Sequence, residues 1–165
     1  MPILDERNLE FISHSPEQTQ RLGVRLGELL EPGTLVCLVG DLGAGKTTIA
    51  QGVARGWGAL DPVTSPTFVL INQYRRADSA VLYHVDAFRL ERPAEAQALG
   101  LLELVDGEGP VLIEWADKIA DILPGDGLWV EMSWEDESRR RLRFDARGPA
   151  YESLLRRFRQ AAFGG

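Results

Sequence analysis

Gly40-Asp41-Leu42-Gly43-Ala44-Gly45-Lys46-Thr47-Thr48 is the stretch that decides the fold. It fits the phosphate-binding pattern of a glycine, four residues, Gly-Lys and then Ser or Thr. Residues 34–39 upstream form an apolar, β-branched run that reads as a buried strand. Residues 47–57 downstream read as a helix. Strand, glycine loop and helix together are the context that gives the motif its meaning.

A phosphate chain carries dense negative charge and needs many donors at short range. Gly40, Gly43 and Gly45 let the backbone approach closely and turn its N–H groups inward around Asp41, Leu42 and Ala44. The helix that follows adds unpaired N–H groups and the positive end of its dipole. Lys46 is expected to reach the β- and γ-phosphates, and the Thr47 hydroxyl to ligate Mg²⁺. The chain has 16 Arg and only two Lys, at positions 46 and 118. A Lys in this slot of an Arg-rich chain points to a need for a compact ammonium. The bland alternative is a chance glycine-rich turn. The motif indicates a nucleoside triphosphate and leaves base and purpose open.

With 165 residues, 44% hydrophobic and 26% charged, the chain reads as one soluble domain, 1–165, with room for a core. One cysteine excludes an internal disulfide framework, and Cys37 reads as packing. The N-terminus lacks a signal pattern and no apolar run reaches membrane-spanning length, so a cytoplasmic location with no membrane partner is expected. The net charge is −7. It hides a strip, residues 139–159, with eight Arg against Asp145 and Glu152. An acidic body is a poor lone binder of nucleic acid. The strip reads either as a solvated face or as a contact for RNA, phosphate or an acidic partner.

Before the loop, residues 9–13 read as a strand. Ser15-Pro16-Glu17-Gln18 starts a helix that carries Leu22, Leu26, Leu29 and Leu30 to a stop at Glu31-Pro32-Gly33. After the loop helix, Val63-Thr64-Ser65-Pro66-Thr67 is a constrained loop whose hydroxyls, Thr67 included, lie in reach of a bound nucleotide; an ordinary connection is the alternative. Residues 68–74 and 81–85 form an antiparallel hairpin, so the sheet is mixed. Asp86 closes the second of these strands, and His84 reads as structural. Two short helices at 93–99 and 101–105 follow. Residues 110–115 form a strand ending in a carboxylate, Glu114, in the manner of a Walker B element. Asp86 and Glu114 can serve the metal and the attacking water if their strands flank the loop strand. Trp115 points to the other face. A short helix at 117–123, a strand pair at 128–134 and 141–144, and a helix from Pro149 complete the chain.

These motifs resemble the bacterial TsaE family (formerly YjeE), small phosphate-loop ATPases of threonylcarbamoyladenosine synthesis in tRNA. The matching pieces are the glycine loop, Ser65-Pro66-Thr67-Phe68, His84-Val85-Asp86-Ala87-Phe88-Arg89-Leu90, Leu99-Gly100-Leu101 and Ile113-Glu114-Trp115. They span roughly residues 9–145. Phe88 stands where the family has Tyr, Ala116 where it usually has Pro, and the C-terminal helix matches no motif. The resemblance implies an α/β fold, a phosphate-loop NTPase-like sheet of mixed direction flanked by helices. It implies ATP and Mg²⁺ as cofactors, with phosphate and metal on Lys46 and Thr47. It further implies Glu114 at the metal, Asp86 required for hydrolysis, and functional positions at Thr48 and Trp115. Adenine contacts are implied near residues 13–15, with Ser13 and His14 as candidates, and near the last strand pair. The implied partner is a threonylcarbamoyl-transferase heterodimer of TsaB and TsaD-like proteins, reset by ATP hydrolysis, with tRNA touched only indirectly.

Two other classes share these motifs. A small-molecule kinase would need an acceptor pocket and an Arg-bearing lid; Arg75, Arg76 and Arg89 are its candidates, but no lid segment stands out. A nucleotide-gated binding module would use the same loop without turnover. A guanine-reading motif is absent, which favours ATP.

Overall fold

The computed structural model describes residues 6–41, 43–61 and 71–164. Among them, seven strands form one sheet: β1 (Asn8–Ser13), β2 (Leu35–Gly40), β3 (Ile71–Arg75), β4 (Val81–Asp86), β5 (Val111–Glu114), β6 (Gly127–Trp134) and β7 (Arg140–Arg147). The helices are α1 (Pro16–Gly27), α2 (Lys46–Trp57), α3 (Pro93–Ala98), α4 (Leu101–Val105) and α5 (Pro149–Phe163), with a 3₁₀ helix at Ala116–Ile122. The sheet order is β1-β7-β6-β2-β5-β4-β3. β2 runs parallel to both β5 and β6, and β4 parallel to β5. The β1–β7, β6–β7 and β3–β4 pairs are antiparallel. The sheet is therefore of mixed direction, as the hairpin and the glycine-loop strand together require.

Burial follows from sheet position. β5 is buried at every residue and β2 over Leu35–Leu38, because both lie inside the sheet with helices on each face. β7 sits nearer the margin and alternates: Leu142, Phe144 and Ala146 are buried, while Arg143 and Arg147 are exposed. On one face, Val36, Leu38, Leu112 and Phe144 join a core with Leu26 of α1, Val53 of α2 and Phe158 of α5. On the other, Cys37, Val85 and Ile113 meet Ala96 of α3, Leu101 of α4 and Ile119 of the 3₁₀ helix.

Several boundaries differ from the sequence reading; the last strand, for one, runs Arg140–Arg147 and not only 141–144. α1 ends at Gly27, not at Glu31. The Leu29 and Leu30 N–H groups bond to carbonyls three residues back, tightening the last turn out of α-geometry. The helix expected at 117–123 is 3₁₀, kinked at Ile119. Of the strand expected at 68–74, residues 68–70 lie outside the described residues, and β3 runs Ile71–Arg75.

α1 and α2 pack with their backbones in contact. A Cβ at Gly27 would collide with the Val53 carbonyl oxygen, and one at Gly52 with that of Gln20. Small residues on both helices permit this approach, and it fixes the helix whose N-terminus closes the glycine loop. Adding a methyl group here forces the helices apart. Gly52→Ala is expected to lower unfolding free energy by about 1–3 kcal/mol, measured by chemical denaturation.

Candidate nucleotide-binding site

The glycine loop leaves β2 at the C-terminal edge of the parallel strands, where open α/β sheets place their ligands. Gly45 caps α2 at φ 104°, a left-handed conformation that glycine adopts without a Cβ clash. No side chain caps this helix start. Its first N–H groups are thus presented by a loop built for an anion.

Lys46 opens α2 and is almost fully buried. Its ammonium donates to the carbonyls of Gly40 (2.5 Å) and Asp41 (2.7 Å) and lies 4.0 Å from the centre of the Trp115 ring. Burial pushes its pKa below the usual lysine value. The charges of Glu114, Asp41, Asp117 and Asp86 oppose that shift. Glu114 is buried at the end of β5, with its Oε2 2.6 Å from His84 Nε2. Asp86 is half-buried at the end of β4, paired in register with Glu114. Its Oδ1 accepts the Phe88 N–H at 2.9 Å. Burial pushes the Asp86 carboxyl up, opposed most by that hydrogen bond.

The carboxylates do not both flank the loop strand. β5 adjoins β2, but β4 lies one strand further out. The parallel register nevertheless brings Leu38 level with Glu114 and Glu114 level with Asp86, so both acids end at the loop's height. Trp115 leaves the strand at φ 59°. Its ring packs into the second core and against Phe88, 4.9 Å away, besides meeting Lys46. Alternation along a strand predicts the face but not this second contact.

Thr47 and Thr48 follow Lys46 in the first turn of α2, both half-buried. A cavity of about 430 Å³ lies beside Gly43, Gly45 and Thr48, bounded by His14, Ser15 and Arg140 among others. That volume suits a nucleoside-sized ligand. His14 is exposed at this cavity; Ser13 is buried and spends its hydroxyl on Thr19 (2.6 Å) and the Ser15 carbonyl (2.9 Å). A cavity of about 470 Å³ at the other end of the strands, by Trp57 and Pro110, is remote from the loop. Arg76 belongs there, over the Trp57 ring and bonded to Asp78. Leu42 and Thr67 lie outside the described residues.

Among the described residues, no cluster of three or more His, Cys, Asp or Glu forms a metal cage. The donors at hand are oxygens, from the Thr47 hydroxyl and the Glu114 carboxylate. They fit Mg²⁺, which takes few protein ligands and completes its shell with phosphate and water. Half of the eight arginines in the basic strip pair with carboxylates. Arg139 pairs with Asp136, Arg141 with Glu10 and Glu135, Arg147 with Asp145 and Arg157 with Glu31.

A family model described as "Threonylcarbamoyl adenosine biosynthesis protein TsaE" matches residues 13–142. The chain belongs to the TsaE family. A Bacillus subtilis (strain 168) relative, named tRNA threonylcarbamoyladenosine biosynthesis protein TsaE, is 38% identical over 149 residues, covering 90% of this chain and 92% of the relative. A relative of the same name from Nostoc sp. (strain PCC 7120) is 41% identical over 141 residues, 83% and 85% of the two chains. The crystal structure of Bacillus subtilis YdiB superimposes with a TM-score of 0.78 at 33% identity, over 93% of this chain and 95% of that one. Among the described residues of this TsaE-family chain, no helix is long and apolar enough to cross a membrane.

Sequence reasoning left two contributors unassigned. His84, which the sequence reads as structural, is buried and bonds the Glu114 carboxylate. Asp117, from the 3₁₀ helix, adds to the acidic field on Lys46. Cys37 sits behind the loop in β2, fully buried, and burial pushes its thiol up to about 12. At pH 8 it is expected to resist a thiol reagent in the native protein and to react fully in denaturant. Rapid native labelling would contradict that burial.

Proposed function

We propose that the chain binds and hydrolyses Mg-ATP and so drives a partner heterodimer, TsaB and TsaD-like, through repeated rounds of tRNA threonylcarbamoylation. Family membership supports a part in threonylcarbamoyladenosine biosynthesis. The observation that carries the hydrolytic reading is the convergence of Lys46, Asp86 and Glu114 at the edge where the glycine loop turns into α2. The acidic body and the locally paired arginines support indirect action on tRNA, and a cytoplasmic setting follows from that role.

In this reading the loop N–H groups and Lys46 hold the phosphates, with Thr47 and Glu114 holding Mg²⁺. Bound Mg²⁺ neutralises charge on the phosphate oxygens. Asp86 orients the attacking water. Its raised pKa makes its ionised carboxylate a better proton acceptor than an ordinary aspartate. Thr48 and the His14 side of the cavity receive the rest of the nucleotide. Trp115 backs Lys46, and the Thr67 hydroxyl serves the bound nucleotide at its metal or γ-phosphate.

Two substitutions separate binding from turnover. Lys46→Ala is expected to abolish nucleotide binding in calorimetry. Asp86→Ala is expected to bind ATP normally and to lower kcat by about 10²–10⁴-fold in the assembled complex. Wild-type hydrolysis by Asp86→Ala would remove the role given to that carboxylate.

A further inference from the structure

His84 is fully buried, and the hydrolysis just described gives it no task. It sits two residues before Asp86 on β4, on the same face of the strand. Its Nε2 lies 2.6 Å from Glu114 Oε2, and its Nδ1 lies 2.9 Å from the Tyr74 hydroxyl. Tyr74 belongs to β3 and is itself buried. Three strands thus contribute one side chain each to a continuous chain of hydrogen bonds.

The Tyr74 O–H can donate to Nδ1 while the Nε2–H donates to the Glu114 carboxylate, which satisfies both links. A glutamate at a strand end has several torsions to fix before its carboxylate can serve a metal. A short bond to a buried imidazole removes that freedom. It engages Oε2 and so fixes the orientation of the carboxylate that would hold Mg²⁺. The β3–β4 hairpin fixes Tyr74, and Tyr74 in turn fixes the ring.

We propose that His84, backed by Tyr74, is a positioning residue that holds the Glu114 carboxylate ready for Mg²⁺. This rests on the assignment of Glu114 to the metal. Partners that orient a metal-binding carboxylate set metal affinity, and losing one costs roughly 10–100-fold.

The test is a Mg²⁺ titration of binding of the β,γ-imido analogue of ATP, followed by calorimetry beside the metal-free affinity. His84→Asn places its amide near Nδ1, keeping a partner for Tyr74, but is too short for Glu114. His84→Gln places its amide near Nε2. His84→Asn is expected to raise the half-saturating Mg²⁺ concentration about 10–100-fold and to leave the metal-free affinity unchanged. His84→Gln is expected to recover most of that loss. Tyr74→Phe keeps the ring and is expected to shift the Mg²⁺ requirement in the same direction by less. It carries the test alone if the His84 variants do not fold.

A wild-type Mg²⁺ requirement in His84→Asn, or in Tyr74→Phe where that variant stands alone, overturns the proposal. So does a loss of metal-free binding that His84→Gln fails to recover. Glu114→Gln separates the levels. If it leaves the Mg²⁺ requirement unchanged, the assignment of Glu114 falls and the proposal with it. If it raises the requirement while the His84 and Tyr74 variants do not, only the positioning role falls.

Discussion

A buried ammonium is the constraint around which this structure is arranged. Lys46 is removed from water at the first turn of α2, and an isolated charge in that position would be costly. The cost is offset by two loop carbonyls, the face of Trp115 and the field of four carboxylates from different parts of the chain. Each partner imposes something on the fold. The carbonyls require the loop to curl back over the lysine. Glu114 and Asp86 require β5 and β4 to end level with it. Trp115 requires the chain to leave β5 through a left-handed residue. A site that concentrates negative charge around one cation is also one that a metal ion can enter.

The scaffold supplies rigidity from both sides. Behind the loop, β2 lies between two parallel neighbours, so its end is fixed by hydrogen bonds on each edge. Above it, α2 is locked to α1 by backbone contact at glycines. The outlying elements close the side of the loop that carries the cavity. The turn after β1 and the β6–β7 hairpin meet at the cavity beside Gly43 and Thr48. Residues distant in sequence thus bracket the loop, and Gly43 and Gly45 of the loop line the cavity.

Much of this was legible in the sequence because the signals are local. The loop glycines, the apolar run before them and the Ser15 cap each announce their own structure, and the Ser15 hydroxyl does accept the Gln18 N–H. The resemblance extended that reading to the family. What stayed hidden depends on which strands become neighbours. Periodicity places His84 and Asp86 on one face but does not say that β5 lies alongside, so the bond to Glu114 could not be seen. The same gap left open whether both acid-bearing strands border β2, and only β5 does. The roles of Gly27 and Gly52 follow only from the facing backbone. Two acidic partners of the arginine strip, Glu10 and Glu31, lie more than a hundred residues away in sequence, so those pairs could not be seen there.

The most direct measurement is a crystal structure with Mg²⁺ and a non-hydrolysable ATP analogue. Phosphates are expected against the N–H groups at the start of α2, the metal between Thr47 and Glu114, and the base in the cavity beside His14 and Thr48. Phosphates bound away from Lys46, or a base seated in the cavity by Trp57 and Pro110, would contradict this arrangement.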